Sequence, residues 1–164
     1  MTLSVGDKAP DFTLASASGE PLTLSHLYAK HAVVLYFYPK DDTPGCTVEA
    51  CSFRDRYEDF AKAGAEVVGI SSDSAASHEK FATKHNLPMK FVADEGGKVR
   101  ALYGVKATLG LFPGRATFII DRQGKIRHTF VSQLRFSKHA EEALEAVRHI
   151  EGAPVGAVPG ASAI

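Results

Sequence analysis

The chain has 164 residues at 17.6 kDa, the size of one domain. Hydrophobic residues at 45% and charged residues at 23% exclude wholesale disorder, and the longest apolar run, Ala32 to Tyr38, falls far short of the ~20 residues of a membrane span. Nineteen basic and nineteen acidic side chains balance, which argues against a nucleic-acid or anionic-membrane partner. Two cysteines are too few for a disulfide scaffold, and the N-terminus carries no basic segment followed by an apolar one. A cytoplasmic protein is therefore expected, or one of an organelle lumen if the chain is a processed mature form.

Asp11 to Leu14 and Leu22 to Leu24 flank a Ser18-Gly19-Glu20-Pro21 turn and predict a short N-terminal hairpin. The run Ala32 to Tyr38, rich in β-branched and aromatic residues, predicts a strand buried on both faces, and Pro39 ends it. From Thr43 to Gly64 the spacing of Ala50, Phe53, Tyr57, Phe60 and Ala61 predicts a helix. A strand at Glu66 to Ile70, a helix at Ala75 to His85, a short strand at Phe91 to Ala93 and a brief helix near Lys98 to Tyr103 follow. Ala116 to Ile120 and Ile126 to Val131 flank Asp121-Arg122-Gln123-Gly124 as a second hairpin, and Ser137 to Ile150 forms the last helix. Alternating strands and helices imply a layered α/β domain over residues 1–151. Residues 152–164, only Gly, Ala, Pro, Val, Ser and Ile, read as a flexible tail. The similar stretches from Asp94 and from Asp121 read as reused turn chemistry, since one precedes a helix and the other a strand.

Common cofactor motifs are missing. No Gly-rich dinucleotide or phosphate loop is present, Ala82 stands where a zincin-like pattern begun by His78-Glu79 needs histidine, and the cysteines lack zinc-finger spacing. No metal or cofactor is expected, and each histidine reads as surface or as a satisfied core residue.

The chemistry concentrates between Tyr38 and Cys51. Thr43 before Pro44 is a favourable helix start, with a hydroxyl at the cap and then a residue that needs no amide donor. Cys46 then lies in the first turn, where free amides and the positive dipole end favour thiolate over thiol. It precedes Ala50 by four residues and Phe53 by seven, so it faces inward, whereas Cys51 shares the polar face with Thr47, Asp55, Glu58 and Lys62. Both cysteines fit two readings, reactive thiols or small core residues.

Pro39-x-x-x-Thr43-x-x-Cys46 resembles the active-site signature of the peroxiredoxins, thiol peroxidases on a thioredoxin-like fold. The longer match, Phe37-Tyr38-Pro39-Lys40 with Thr43-Pro44-Gly45-Cys46-Thr47 and Cys51, is similar to the bacterioferritin-comigratory-protein or PrxQ subfamily. Further matches are Gly6 to Phe12, Gly69 to Asp73 with Ser77-His78, and Gly114 to Asp121, so the likeness covers roughly residues 3 to 150 and leaves out the tail. The resemblance implies a central mixed β-sheet flanked by helices, with Cys46 as peroxidatic and Cys51 as resolving cysteine. It makes Arg115 the active-site arginine, Thr43 a hydrogen-bond partner of thiolate or peroxide, and Pro39 a shield against water. Without it, Arg115 reads as a surface arginine, Thr43 as a cap and Pro39 as a strand terminator. Glu49 fits the subfamily pattern as a supporting residue, or pairs with Arg54 or another base.

The implied cycle is attack of Cys46 on a peroxide, a sulfenic acid, condensation with Cys51 to a disulfide, and reduction by thioredoxin or a similar dithiol. The resemblance leans toward a monomer. Two rivals are a thiol–disulfide oxidoreductase, although those usually space their cysteines Cys-x-x-Cys, and a redox sensor using the same switch without turnover.

Overall fold

The structure, a computed structural model, describes residues 3–105 and 114–150. The predicted boundary at residue 151 and the tail over 152–164 lie outside the described residues. At the N-terminal end β1 (Thr13–Ala15) and β2 (Pro21–Thr23) pair antiparallel, which is the predicted hairpin. Leu24, assigned to a strand from sequence, instead begins a five-residue helix, α1 (Leu24–Tyr28). The Asp11 carboxylate explains the switch: it accepts from the Ser25 amide (2.8 Å) and hydroxyl (2.7 Å), filling donors that a helix start leaves open.

The main sheet is built from β3 (Ala32–Phe37), β4 (Ala65–Ser71), β5 (Lys90–Ala93), β6 (Ala116–Ile120) and β7 (Ile126–Val131), in the order β5-β4-β3-β6-β7. β3, β4 and β5 run parallel, while β6 is antiparallel to both β3 and β7. Every residue of β3 is buried, because both faces of the sheet are covered. Val34 and Tyr36 meet one core, which includes Phe53, Phe60, Phe81, Ala140, Leu144 and Val147. Val33, Leu35 and Phe37 meet the other, which includes Phe12, Leu24, Val99 and Tyr103.

The first core is contributed by α2 (Pro44–Asp55), α3 (Tyr57–Lys62), α4 (Ala75–His85) and α6 (Lys138–Arg148); the second by α1 and α5 (Lys98–Leu102). The single helix expected from Thr43 to Gly64 is therefore two. It breaks at Arg56 (φ −109°, ψ 6°), whose guanidinium hydrogen-bonds the Ser52 carbonyl (3.2 Å) and hydroxyl (2.9 Å). The reuse of turn chemistry holds: Asp94 accepts from the Val99 and Arg100 amides before a helix, and Asp121 from the Gln123 and Lys125 amides inside a hairpin. Among the described residues no helix is long and apolar enough to cross a membrane.

Candidate active site

Thr43 occupies the cap position of α2 with extended backbone (φ −87°, ψ 155°), and Pro44 follows as the first helical residue. The expected cap bond does not form. The Thr43 hydroxyl donates instead to the Lys40 carbonyl (2.9 Å), which the tight turn through Asp42 (φ 61°) brings within reach. With no side chain capping α2, the amides of its first turn stay open around Cys46. The inward-facing prediction is met: Cys46 is only 2% exposed, while Cys51, on the polar side of the same helix, is half-buried. Both are free thiols. Pro39 is half-buried just beyond the end of β3.

Arg115, a surface residue if read alone, is 5% exposed, because it sits directly before β6 in the middle of the sheet. Its Nη1 donates to the Cys46 sulfur at 3.5 Å and to Glu49 Oε1. Burial works against the Arg115 charge, but Glu49 and Cys46 beside it more than offset this and hold the guanidinium ionised. The ring of Phe136 covers the guanidinium, 4.8 Å from ring centre to Cζ. The same ring packs on Gly45, where a Cβ would come within 2.7 Å of it.

Glu49 pairs with this arginine and not with Arg54, which turns to Asp55 and the His85 carbonyl. It is fully buried, and burial pushes its carboxyl up to about 8 although Arg115 pulls it down. Oε2 has no hydrogen-bond partner and lies 3.7 Å from His139 Nδ1. His139, also fully buried, meets the Ser132 carbonyl through Nε2 (2.8 Å) and the Thr117 hydroxyl through Nδ1 (2.7 Å). Burial lowers it to about 4, so it is neutral near pH 7. Arg100 stands nearby with its guanidinium on the Gly114 and Tyr38 carbonyls, both at 2.7 Å.

A second polar cluster braces the turn before α2. Asp41 accepts from Tyr38 and Ser77 hydroxyls and meets His78 Nδ1 (2.8 Å), while His78 Nε2 meets the Val92 carbonyl (2.9 Å). Asp41, Asp73 and His78 bring ligand-type atoms within 4.8 Å of one another. Those atoms already hydrogen-bond each other, Tyr38, Ser71 and Ser77, so the cluster is explained without an ion.

The structure thus brings Cys46, Glu49 and Arg115 into contact and places Cys51 one and a half turns along the same helix. Sequence reasoning missed His139, Thr117, Arg100 and Phe136 as neighbours of this centre. His139 had a legible signal, since it precedes Ala143 and Val147 by four and eight residues on the apolar stripe of α6. Phe136, just before that helix, had none.

A buried thiol in an uncapped first turn, joined to an arginine at the start of β6, defines a thiol-based redox centre. The chain belongs to the AhpC/TSA family, whose profile matches residues 5–129, and within it to the peroxiredoxin enzymes of the PrxQ or bacterioferritin-comigratory type. Among curated relatives, a chloroplastic peroxiredoxin Q of Triticum aestivum is 47% identical over 149 residues, spanning 90% of this chain and 68% of its own length. Among solved structures, the peroxidoxin BcpB of Mycobacterium tuberculosis superposes with TM-score 0.83 at 40% identity, covering 90% of this chain and 98% of that one. The bacterioferritin comigratory protein of Xanthomonas campestris, described for its alkyl peroxide reduction activity, gives 0.76 at 31% identity, covering 84% and 90%. These neighbours share the thioredoxin-like fold expected from the sequence.

Proposed function

We propose that the chain reduces hydrogen peroxide and organic hydroperoxides through Cys46, with Cys51 as resolving thiol and thioredoxin or a related dithiol as reductant. The observation that carries this reading is the Arg115 contact to the Cys46 sulfur at the start of a helix that also holds Cys51. Cys46 thiolate attacks one peroxide oxygen, the O–O bond breaks, and water or alcohol leaves after protonation. Arg115 stabilises the negative charge on sulfur and then on the departing oxygen. The Thr43 hydroxyl re-aims its proton from Lys40 toward the thiolate or peroxide, and Pro39 keeps water off the sulfur. The sulfenic acid condenses with the Cys51 thiol, releasing water, and the dithiol reduces the disulfide by exchange.

An organic substrate is favoured by the surface beside α2. Val48 is 50% exposed and Leu134 81%, and with Phe136 they flank a depression of about 530 Å³. The Xanthomonas relative's alkyl peroxide activity points the same way. The enzyme acts as a monomer in the cytoplasm or an organelle interior, the latter in keeping with its chloroplastic relatives.

The test is peroxide consumption coupled to thioredoxin and its reductase, with hydrogen peroxide and an alkyl hydroperoxide in parallel. Cys46→Ser is expected to abolish turnover, because no alkoxide is available near neutral pH to replace the thiolate. Most of the wild-type rate surviving in that variant would end this reading, and a single stoichiometric oxidation without turnover would favour a sensor.

A further inference from the structure

In direct contact at Arg115 are one cation and two acids. Arg115 Nη1 touches both Glu49 Oε1 and Cys46 Sγ. His139, facing Glu49 from α6, is no second cation, since it is neutral and its Nδ1 is the acceptor of the Thr117 hydroxyl. From β3, Tyr36 presents a buried hydroxyl with no partner, held un-ionised first by burial and then by Glu49. A second guanidinium, Arg100, stands nearby, but its leading charge neighbour is the buried Asp94, ahead of Cys46, so Asp94 and Arg100 balance each other and leave Arg115 to face Glu49 and Cys46. Two anions on Arg115 would leave an uncompensated buried charge, a costly arrangement. An ionised Glu49 would also aim the free lone pairs of Oε2 at the lone pair of His139 Nδ1, 3.7 Å away.

We propose that Glu49 and Cys46 share a single negative charge opposite Arg115, so that Glu49 stores the proton that the leaving oxygen needs. This rests on the peroxidase reading above. With Cys46 as thiolate, Glu49 is a carboxylic acid. When the thiolate is consumed, its charge disappears from beside Arg115, and Glu49 ionises to take its place. The step balances: thiolate, ROOH and Glu49 carboxylic acid become sulfenic acid, ROH and Glu49 carboxylate. Sulfur is oxidised, the O–O bond is reduced, and no proton is drawn from solvent. Burial raises the affinity of Glu49 for its proton, which fits a group that is protonated near neutral pH while Arg115 is engaged by the thiolate. Glu49 is fully buried and does not touch the peroxide: Arg115 gives a proton to the leaving oxygen and takes the Glu49 proton through its Nη1 contact, ending as the same guanidinium.

The experiment uses Cys51→Ser protein, which stops at the sulfenic acid, mixed rapidly with hydrogen peroxide in weak buffer and a pH indicator at about pH 7. Thiolate absorbance in the ultraviolet reports that Cys46 starts ionised. Expected is oxidation of Cys46 with no proton uptake in the fast phase, against one proton per peroxide once Glu49→Gln is added. Uptake in both proteins, or in neither, would overturn the proposal. Should the Gln variant not fold, infrared difference spectra of the Cys51→Ser protein decide: a carboxylic-acid band present when reduced must give way to carboxylate on oxidation, and its absence from the reduced state refutes the shared charge. No oxidation of Cys46 at all would instead end the proposed function, while the infrared band of the reduced protein would still test the shared charge.

Discussion

Formation of a Cys46–Cys51 disulfide must unwind the start of α2. In a helix, residues five apart have Cα atoms about 8.7 Å apart, from a rise of roughly 7.5 Å and an offset of about 140° on a ~2.3 Å radius. A disulfide tolerates at most about 7 Å, and the two side chains point to different sides, one buried and one half-buried. Unwinding carries Glu49 and Ala50 with it. Withdrawing Glu49 breaks its buried pair with Arg115, a loss on the order of 3–5 kcal/mol. At 1.4 kcal/mol per decade, the lower figure makes local opening about a hundredfold more frequent. The break at Arg56 gives the unwinding a place to stop, so α3 should keep its protection. Hydrogen exchange on reduced and oxidised protein is the assay. Amides from Thr47 to Asp55 should exchange about a hundredfold faster after oxidation, and those of Phe60 and Ala61 should not change. Equal protection in both states, with the disulfide established by mass, would refute the helix argument.

Arg115→Ala should slow oxidation of Cys46 at least tenfold by order of magnitude, and Arg115→Lys should rescue only part, because a rotating ammonium on a flexible stem lacks the fixed planar geometry that holds Nη1 against both sulfur and Glu49. Stopped-flow rates within twofold of wild type would assign the charge elsewhere. His139 binds its proton at about 4 when folded and about 6.5 when unfolded, so its contribution is complete above pH 6.5 and is lost as pH falls toward 4, roughly 3 kcal/mol in all. Urea melts of His139→Gln across this range should show that acid limb flattened. Glu49 has the opposite sign: its folded value near 8 lies above the unfolded 4.5, so its stabilisation is complete below 4.5 and lost as pH rises through 8, and Glu49→Gln should flatten that limb. His78→Ala removes one of the side-chain partners of the buried Asp41 and should cost about 1–3 kcal/mol in the same melts, with Cys46 oxidation slowed as the turn before α2 loosens.

Elements carried by hydrophobic period were legible from sequence: β6, β7 and α4 lie at their predicted bounds, and β3 is buried on both faces as its unbroken apolar run demands. Where a side chain redirected the backbone, period misled. Asp11 turned Leu24 from strand to helix across thirteen residues, and Arg56 broke a helix whose apolar stripe runs on to Phe60. The two cysteines were placed correctly because their spacing on α2 is a local property. Arg115 was not, because its burial comes from β3 and β7 pairing on either side of β6, far away in sequence. Only the family resemblance pointed to it. The Glu49 partner was long-range in the same way, and chain proximity favoured Arg54.

The proposed cycle needs a fixed arginine for peroxide attack and a movable cysteine for disulfide formation, and the fold keeps these two demands apart along the chain. Arg115 is held on the central sheet, under Phe136 and against Glu49. The turn leading into α2 is equally fixed. Asp41 is tied to Tyr38, Ser77 and His78, its amide to Asp73, and Asp42 to Lys84 (2.7 Å) and His85 (3.0 Å), all but Tyr38 lying on α4 or the segment before it. Immediately past this anchor the restraint ends. Pro44 donates no amide, Gly45 has the weakest helix propensity after proline, and Thr43 offers no cap bond. Gly45 nonetheless matters to the site, because a Cβ there would meet the Phe136 ring at 2.7 Å and push it from its place over Arg115. The residue that lets the aromatic ring cover Arg115 is therefore the one that weakens the turn carrying Cys46, so a covered arginine and a weakly held helix start both follow from a single glycine.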